Sequence, residues 1–232
     1  MQDFRCIVYK GNGKQLKRHK VHTKRSCENI DSFFRLSTCQ RIEIYGDGRL
    51  PSNSMRVLQY PDSLQHLVEV LSGIDSGLFG EIEVYMQARN AFETAKEENH
   101  ISEGLEKNLI KAFNIADDIR KQFGLNNSWI SSIIRKIGNI KNVMIYGDGN
   151  LAKALEESFV ENGLHIKEDK EKAEAIIILK RGLEKPEFNS PLIINLTDDK
   201  FKKDEIEMKE FFIRPKEDIV NKIKEEIKKK II

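Results

Sequence analysis

The chain has 232 residues, enough for one large or two modest domains and for a real buried core. Apolar residues make up 39% and charged residues 33%, a soluble globular balance on the polar side, and the formal net charge of +2 does not announce a nucleic-acid binder. Cys6, Cys27 and Cys39 form an odd set without a CxxC pair, which argues against a disulfide framework and a structural zinc site; no metal site is expected. A signal-peptide pattern is missing, as is an apolar run of about 18 residues. The reading therefore places the chain in a reducing cytoplasm, with no membrane partner.

Residues 1–26 carry eight Lys/Arg against the single acid Asp3. A basic block of this kind could track a phosphate backbone or be a solvated hairpin. Phe4–Tyr9 reads as a buried strand, with Gly11-Asn12-Gly13 as the turn after it. Arg41-Ile42-Glu43-Ile44-Tyr45 alternates as a half-buried strand, and a further strand is expected near Arg56–Gln59. From Asp62 the period becomes helical, through Leu64, Leu67, Val68 and Leu71, with Gly73 as the stop. Helices are then expected from Glu81 to about Glu98, over 103–123 ending at Gly124, and from Ser128 to Ile137. The last third alternates strands (Val143–Tyr146, Leu164–Lys167, Ala175–Leu179, Leu192–Leu196, Phe211–Arg214) with crossovers, and helix 216–230 follows. That rhythm implies a parallel α/β sheet.

Gly147-Asp148-Gly149-Asn150-Leu151-Ala152 follows a strand and opens a helix, the context of a dinucleotide-binding turn. Gly147 permits the turn, Gly149 lets the backbone approach a pyrophosphate, and Ala152 allows close helix–strand packing. The helix N-terminus supplies amide donors for phosphate. An ordinary strand-to-helix turn is the alternative. Downstream, Lys167-Glu168-Asp169-Lys170 offers an acid for a ribose hydroxyl and lysines for an extra phosphate, so NAD and NADP both stay open.

Leu36-Ser37-Thr38-Cys39-Gln40-Arg41 places a thiol beside a hydroxyl, an amide and a fixed positive charge. A neighbouring cation favours the thiolate, and a thiolate is a ready acyl acceptor. A small buried cysteine is the alternative. Arg41 is suited to bidentate capture of a carboxylate. His66 lies on the helix from Asp62, as a catalyst or as an ordinary helix residue. Ser72–Glu81 is a Gly/Ser-rich connection that could line a cleft.

Together these segments resemble the glutamyl-tRNA reductase family. Leu36–Tyr45 resembles its Ser-Thr-Cys-Asn-Arg-x-Glu-x-Tyr signature, with Gln40 in place of Asn. His66-Leu67, Ser72-Gly73-Ile74-Asp75-Ser76, Gly80-Glu81 and Gln87 are similar to its second signature, and Gly147–Ala152 to its cofactor turn. The resemblance implies that Cys39 attacks the ester of glutamyl-tRNA to form a thioester, which NADPH reduces to glutamate-1-semialdehyde for tetrapyrrole (porphyrin) synthesis. It implies His66 as general acid/base or orienting group, and Arg41 on the substrate's carboxylate. Thr38, Gln40, Ser76, Glu81, Ile82, Glu83 and Gln87 would line the pocket, and Gly147, Asp148, Gly149, Asn150, Leu151 and Ala152 would hold the cofactor. A downstream semialdehyde aminomutase is an implied partner.

The chain departs from the pattern at Ile82-Glu83, where the family has Pro-Gln, and at Met86, where it has Gly. The cofactor domain is compressed between Lys167 and Ala175. The reading expects a short, divergent member without the C-terminal dimerisation domain, so it leaves the oligomeric state open and does not support the family's extended dimer. The expected architecture is an N-terminal α/β catalytic domain (1–98), a helical connector (99–140) and a shortened Rossmann-type parallel-sheet domain (141–232). The rival readings are a non-catalytic tRNA- or nucleotide-binding regulatory paralogue and a tetrapyrrole-precursor dehydrogenase.

Overall fold

The structure, a computed structural model, describes residues 4–10, 32–38, 41–47, 56–148, 150–179, 192–197, 205–211 and 215–231. Cys27, Cys39, Gln40, Gly149 and the basic stretch beyond Lys10 lie outside the described residues. The chain divides into two compact units, one from Met1–Asn126 with Pro215–Ile232 and one from Asn127–Arg214.

The first unit holds a four-stranded antiparallel sheet in the order β2-β3-β1-β4, made of β1 (Phe4–Lys10), β2 (Phe33–Ser37), β3 (Arg41–Asp47) and β4 (Arg56–Gln59). Its helices are α1 (Asp62–Leu71), α2 (Glu83–Glu97) and α3 (Glu103–Phe123). Leu64, Leu67, Val68 and Leu71 recur at helical spacing, so α1 presents one apolar stripe, and all four are buried. They share a core with Phe4, Cys6, Leu36 and Tyr45 of the sheet and with Leu109, Phe113 and Ala116 of α3. Each such aliphatic side chain contributes about 1.5–3 kcal/mol when fully buried. The limits of α3 follow from local chemistry: Ser102 accepts the Leu105 N–H at the start, and Gly124 ends the helix at φ +64°.

Two expectations change here. Strand β3 is not half-buried, because every residue from Arg41 to Gly46 is buried. Ile42 and Ile44 form a second, smaller cluster with Ile7 and Tyr9, so the sheet is covered on both faces. The domain limits also change. Helix α3 packs inside the first unit and is not part of a separate connector over 99–140. The last helix belongs there too: Ile223, Ile227 and Ile231, spaced by four, insert into the first unit's core.

The second unit begins with α4 (Trp129–Ile137), then alternates β5 (Asn142–Tyr146), α5 (Asn150–Glu161), β6 (His165–Ile166), β7 (Ala175–Ile178), β8 (Leu192–Asn195) and β9 (Ile206–Glu207). The helix that returns to the first unit is α6 (Glu217–Ile231). The five strands are parallel in the order β6-β5-β7-β8-β9. Ala175-Ile176-Ile177-Ile178 is buried throughout, as a parallel strand covered on both faces must be. Between β6 and β7 there is only a 3₁₀ turn, Lys170–Lys172, where a longer crossover domain would carry a helix. Of the strand expected at Phe211–Arg214, only Phe211 is among the described residues. The fifth strand is Ile206–Glu207, and Phe211 ends a 3₁₀ turn, buried with its ring 5.9 Å from that of Trp129. The apolar signal at Phe211 reported burial rather than strand.

The loop between α1 and α2 depends on one glycine. Gly73 has φ +71°, and a Cβ there would stand 2.6 Å from the Glu81 nitrogen and 2.8 Å from the Gly80 carbonyl carbon, both backbone atoms. Gly73→Ala is expected to cost about 2–3 kcal/mol in chemical denaturation, from the left-handed φ and the clash together. A loss below about 0.5 kcal/mol would mean that the loop reshapes freely.

Candidate active site

The turn from β2 to β3 is closed by two hydrogen bonds on either side of residues 39 and 40. The Thr38 N–H donates to the Arg41 carbonyl (2.9 Å), and the Arg41 N–H donates to Thr38 Oγ1 (3.2 Å). From there Arg41, Glu43 and Tyr45 share one face of β3, because side chains alternate along a strand. All three are buried. Arg41 Nη1 donates to Glu43 Oε1 (3.3 Å) and to Asp75 Oδ2 (3.0 Å), and Nη2 donates to the Asp75 carbonyl (2.7 Å). The Tyr45 hydroxyl donates to Glu43 Oε2 at 2.6 Å. His66 Nε2, from α1, lies 3.1 Å from Glu43 Oε1. An ionised carboxylate only accepts, so Nε2 carries the proton and a neutral His66 ring keeps its lone pair on Nδ1.

Glu43 is the centre of this arrangement. Burial alone would raise its pKa, but the hydrogen bond and charge of His66, the charge of Arg41 and the Tyr45 hydroxyl outweigh it and hold the carboxyl below the usual glutamate value. Burial likewise opposes ionised Asp75, and contacts with Lys10 and Arg41 hold it below the usual aspartate value. Arg41 loses from burial and gains more from Glu43 and Asp75, so its pKa is raised. Burial, with Cys6 and Glu43 nearby, pushes the Tyr45 phenol well above its ordinary value. The result is a fixed, charged cluster that starts at the first residue of β3.

The loop holding Asp75 is tied down by a residue 45 positions further on. Arg120 Nη1 donates to the carbonyls of Leu71 (2.9 Å) and Glu81 (3.1 Å), and Nη2 to that of Gly80 (2.9 Å). It thereby occupies an open carbonyl at the end of α1 and the carbonyls closing the loop.

In the second unit, Gly147 has φ +153°, which residues with a side chain rarely adopt. Ala152, on the first turn of α5, is 2% exposed. Strand β5 leads through α5 to β6 on one side, and β7 lies on the other side of β5. The turn at 147–152 therefore sits at the carboxyl end of the strand where the winding reverses, the usual ligand position in an open parallel sheet. Asp148 and Leu151 are exposed there, and Asn150 opens α5.

Comparison with known proteins bears on the first unit most directly. The sequence family described as Glutamyl-tRNAGlu reductase, N-terminal domain, matches residues 10–123. This chain belongs to the glutamyl-tRNA reductase family. Among similar curated proteins, the glutamyl-tRNA reductase of Methanocaldococcus jannaschii is 26% identical over 196 residues, covering 77% of this chain and 48% of the relative. That of Akkermansia muciniphila is 31% identical over 119 residues, covering 42% and 35%. A solved structure, the glutamyl-tRNA reductase from Methanopyrus kandleri, superposes with a TM-score of 0.52 at 20% identity, over 78% of this chain and 50% of that one. That likeness concerns the fold. The chain spans about half the length of the relatives it matches.

The glutamyl-tRNA reductase signatures fall on the described elements as follows. Thr38, Arg41 and His66 are drawn together around Glu43, while Cys39 and Gln40 lie outside the described residues. Ser76 is half-buried in the Asp75 loop. Glu81, Ile82 and Glu83 are half-buried where that loop enters α2, and Gln87 is on the exposed side of α2. Sequence reasoning did not single out Asp75, Lys10, Tyr45 or Arg120 as site residues. Asp75 and Tyr45 lay within the two signature segments and could have been found there. Lys10 and Arg120 carry no local signal. Among the described residues no group of His, Cys, Asp and Glu could hold a metal ion, and no helix is long and apolar enough to cross a membrane.

Proposed function

We propose that this chain catalyses the glutamyl-tRNA reductase reaction through Cys39. The observation that carries the reading is the Arg41–Glu43–His66 cluster, with Arg41 and Glu43 buried and His66 half-buried, which begins two residues after Cys39 in the chain and lies within the family-matched stretch 10–123. The Cys39 thiolate attacks the ester carbonyl joining glutamate to tRNA; the S–C bond forms, the ester C–O bond breaks, and the tRNA leaves with its ribose hydroxyl reprotonated. Arg41 stabilises the nearby thiolate by charge. His66, oriented through Nε2 by Glu43, offers Nδ1 for proton transfer, a role contributing about 10²–10⁴-fold.

The second unit fits a nicotinamide dinucleotide. Gly147, Asp148, Gly149, Asn150, Leu151 and Ala152 would hold its phosphates at the α5 N-terminus, supported by the Gly147 conformation, the buried Ala152 and the winding reversal beside β5. When bound, NADPH supplies the hydride that turns the acyl group into glutamate-1-semialdehyde.

The test is semialdehyde formation from glutamyl-tRNA and NADPH, alongside release of uncharged tRNA in its absence. Cys39→Ala is expected to lower both by at least about 10³-fold. A variant retaining a tenth of the wild-type rate would remove Cys39 from the mechanism.

A further inference from the structure

We propose that Lys10 and Arg41 form a two-cation receptor for the side-chain carboxylate of the acyl substrate, and that the Asp75 carboxylate fills this receptor at rest. The proposal rests on the reading of the substrate as a glutamyl ester and adds to it a residue and an internal competitor.

Lys10 ends β1 directly opposite Arg41 in the antiparallel register, so the two side chains emerge side by side. A single oxygen, Asp75 Oδ2, receives both: Lys10 Nζ at 2.6 Å and Arg41 Nη1 at 3.0 Å. One carboxylate oxygen between two cations is the contact set that a bound substrate carboxylate would make. The cluster at rest balances Lys10 and Arg41 against Glu43 and Asp75. A further carboxylate entering with Asp75 still in place would add an unmatched negative charge, so Asp75 must yield.

The geometry lets it yield without opening the core. The Asp75 side chain is 38% exposed and that of Lys10 53%, whereas Arg41 is 6% exposed and Glu43 fully buried. An exposed ion pair is weak and exchanges readily. When the Asp75 side chain turns away, its backbone carbonyl still accepts from Arg41 Nη2, so the arginine keeps its position. Substrate therefore meets the receptor from the Lys10 side, with Arg41 as its fixed floor.

The probe is glutarate, a free dicarboxylate, titrated calorimetrically into the whole protein. Because Asp75 competes internally, Asp75→Asn is expected to bind glutarate about tenfold more tightly than wild type. Lys10→Ala is expected to bind it about tenfold more weakly, and Lys10→Arg to restore most of the affinity. A structural role for Asp75 moves binding the other way. Weaker or unchanged binding by Asp75→Asn, unchanged binding by Lys10→Ala, or no binding by wild type and Asp75→Asn alike overturns the proposal. If Asp75→Asn does not fold, the Lys10→Ala result decides alone. Tighter glutarate binding in a protein that makes no semialdehyde from glutamyl-tRNA would sink the reductase reading and leave the receptor standing.

Discussion

Arg120→Met is expected to destabilise the first unit by about 3–5 kcal/mol, the largest loss anticipated for a side chain outside the charged cluster. The arginine is 5% exposed and donates to three backbone carbonyls, those of Leu71, Gly80 and Glu81. A hydrogen bond from a charged donor is worth about 1.5–3 kcal/mol, and an orphaned buried carbonyl costs about 1–3 kcal/mol. Against this, burial lowers the pKa of Arg120, a sign that holding its charge there is itself costly. Methionine recovers that cost and some packing, which is why the estimate stays below the simple sum. The loss should appear as a lower denaturation midpoint with an unchanged slope. Because the same carbonyls define the loop that carries Asp75, glutarate binding should fall as well. A variant within about 1 kcal/mol of wild type would show that water replaces the guanidinium at these carbonyls.

Glu43→Gln is expected to cost about 3 kcal/mol and to flatten the acid limb of the stability profile. Glu43 is fully buried and holds Arg41, His66 and Tyr45 at once. Removing one partner of a buried ion pair typically costs about 3–5 kcal/mol, and the low end applies because Asp75 still faces Arg41. The pH effect has a definite sign. The folded pKa values of Glu43 and Asp75 are lowered, so the unfolded chain binds their protons first. Their contribution is complete above the unfolded values near pH 4 and is lost as the pH falls through the lower folded values. Wild type should therefore lose stability steeply below about pH 4, while Glu43→Gln, keeping only the Asp75 share, should lose less over the same range. Equal slopes for the two proteins would contradict the assigned role of Glu43. Activity should fall with the loss of His66 orientation, by about 10²-fold or more.

Much of this was legible before any coordinates, wherever the determining interaction is local. Helix α3 is legible at 103–123 because its apolar period and the stop at Gly124 are local features of the chain. The turn at Gly147 is legible from a strand, glycines and a small residue in immediate succession, and the compression between Lys167 and Ala175 from the shortness of the segment, which holds a 3₁₀ turn. Arg41 and Glu43 were put on one side of a strand by the period of two alone, and they touch. The family itself was visible in two short signatures, because the residues that define them lie close together in the chain.

The remainder required the fold, since it depends on groups far apart in sequence meeting at short range. Burial of both faces of β3 follows from what packs on each face, and no period within the strand records it. Helix 216–230 was legible as a helix but its partner was not: it follows the second unit in chain order, yet Ile223, Ile227 and Ile231 of α6 lie in the first unit's core. Arg120 reads as one more polar residue on a helix until the three carbonyls it faces are known. Lys10 and Asp75 are 65 residues apart, and only the sheet register and the glycine-shaped loop bring them to one point beside Arg41. By itself the sequence determined the elements and the family, because propensity, capping and turn geometry act over a few residues. The tertiary structure alone decided which charges are paired, because Coulomb and hydrogen-bond energies depend on distances that chain order does not contain.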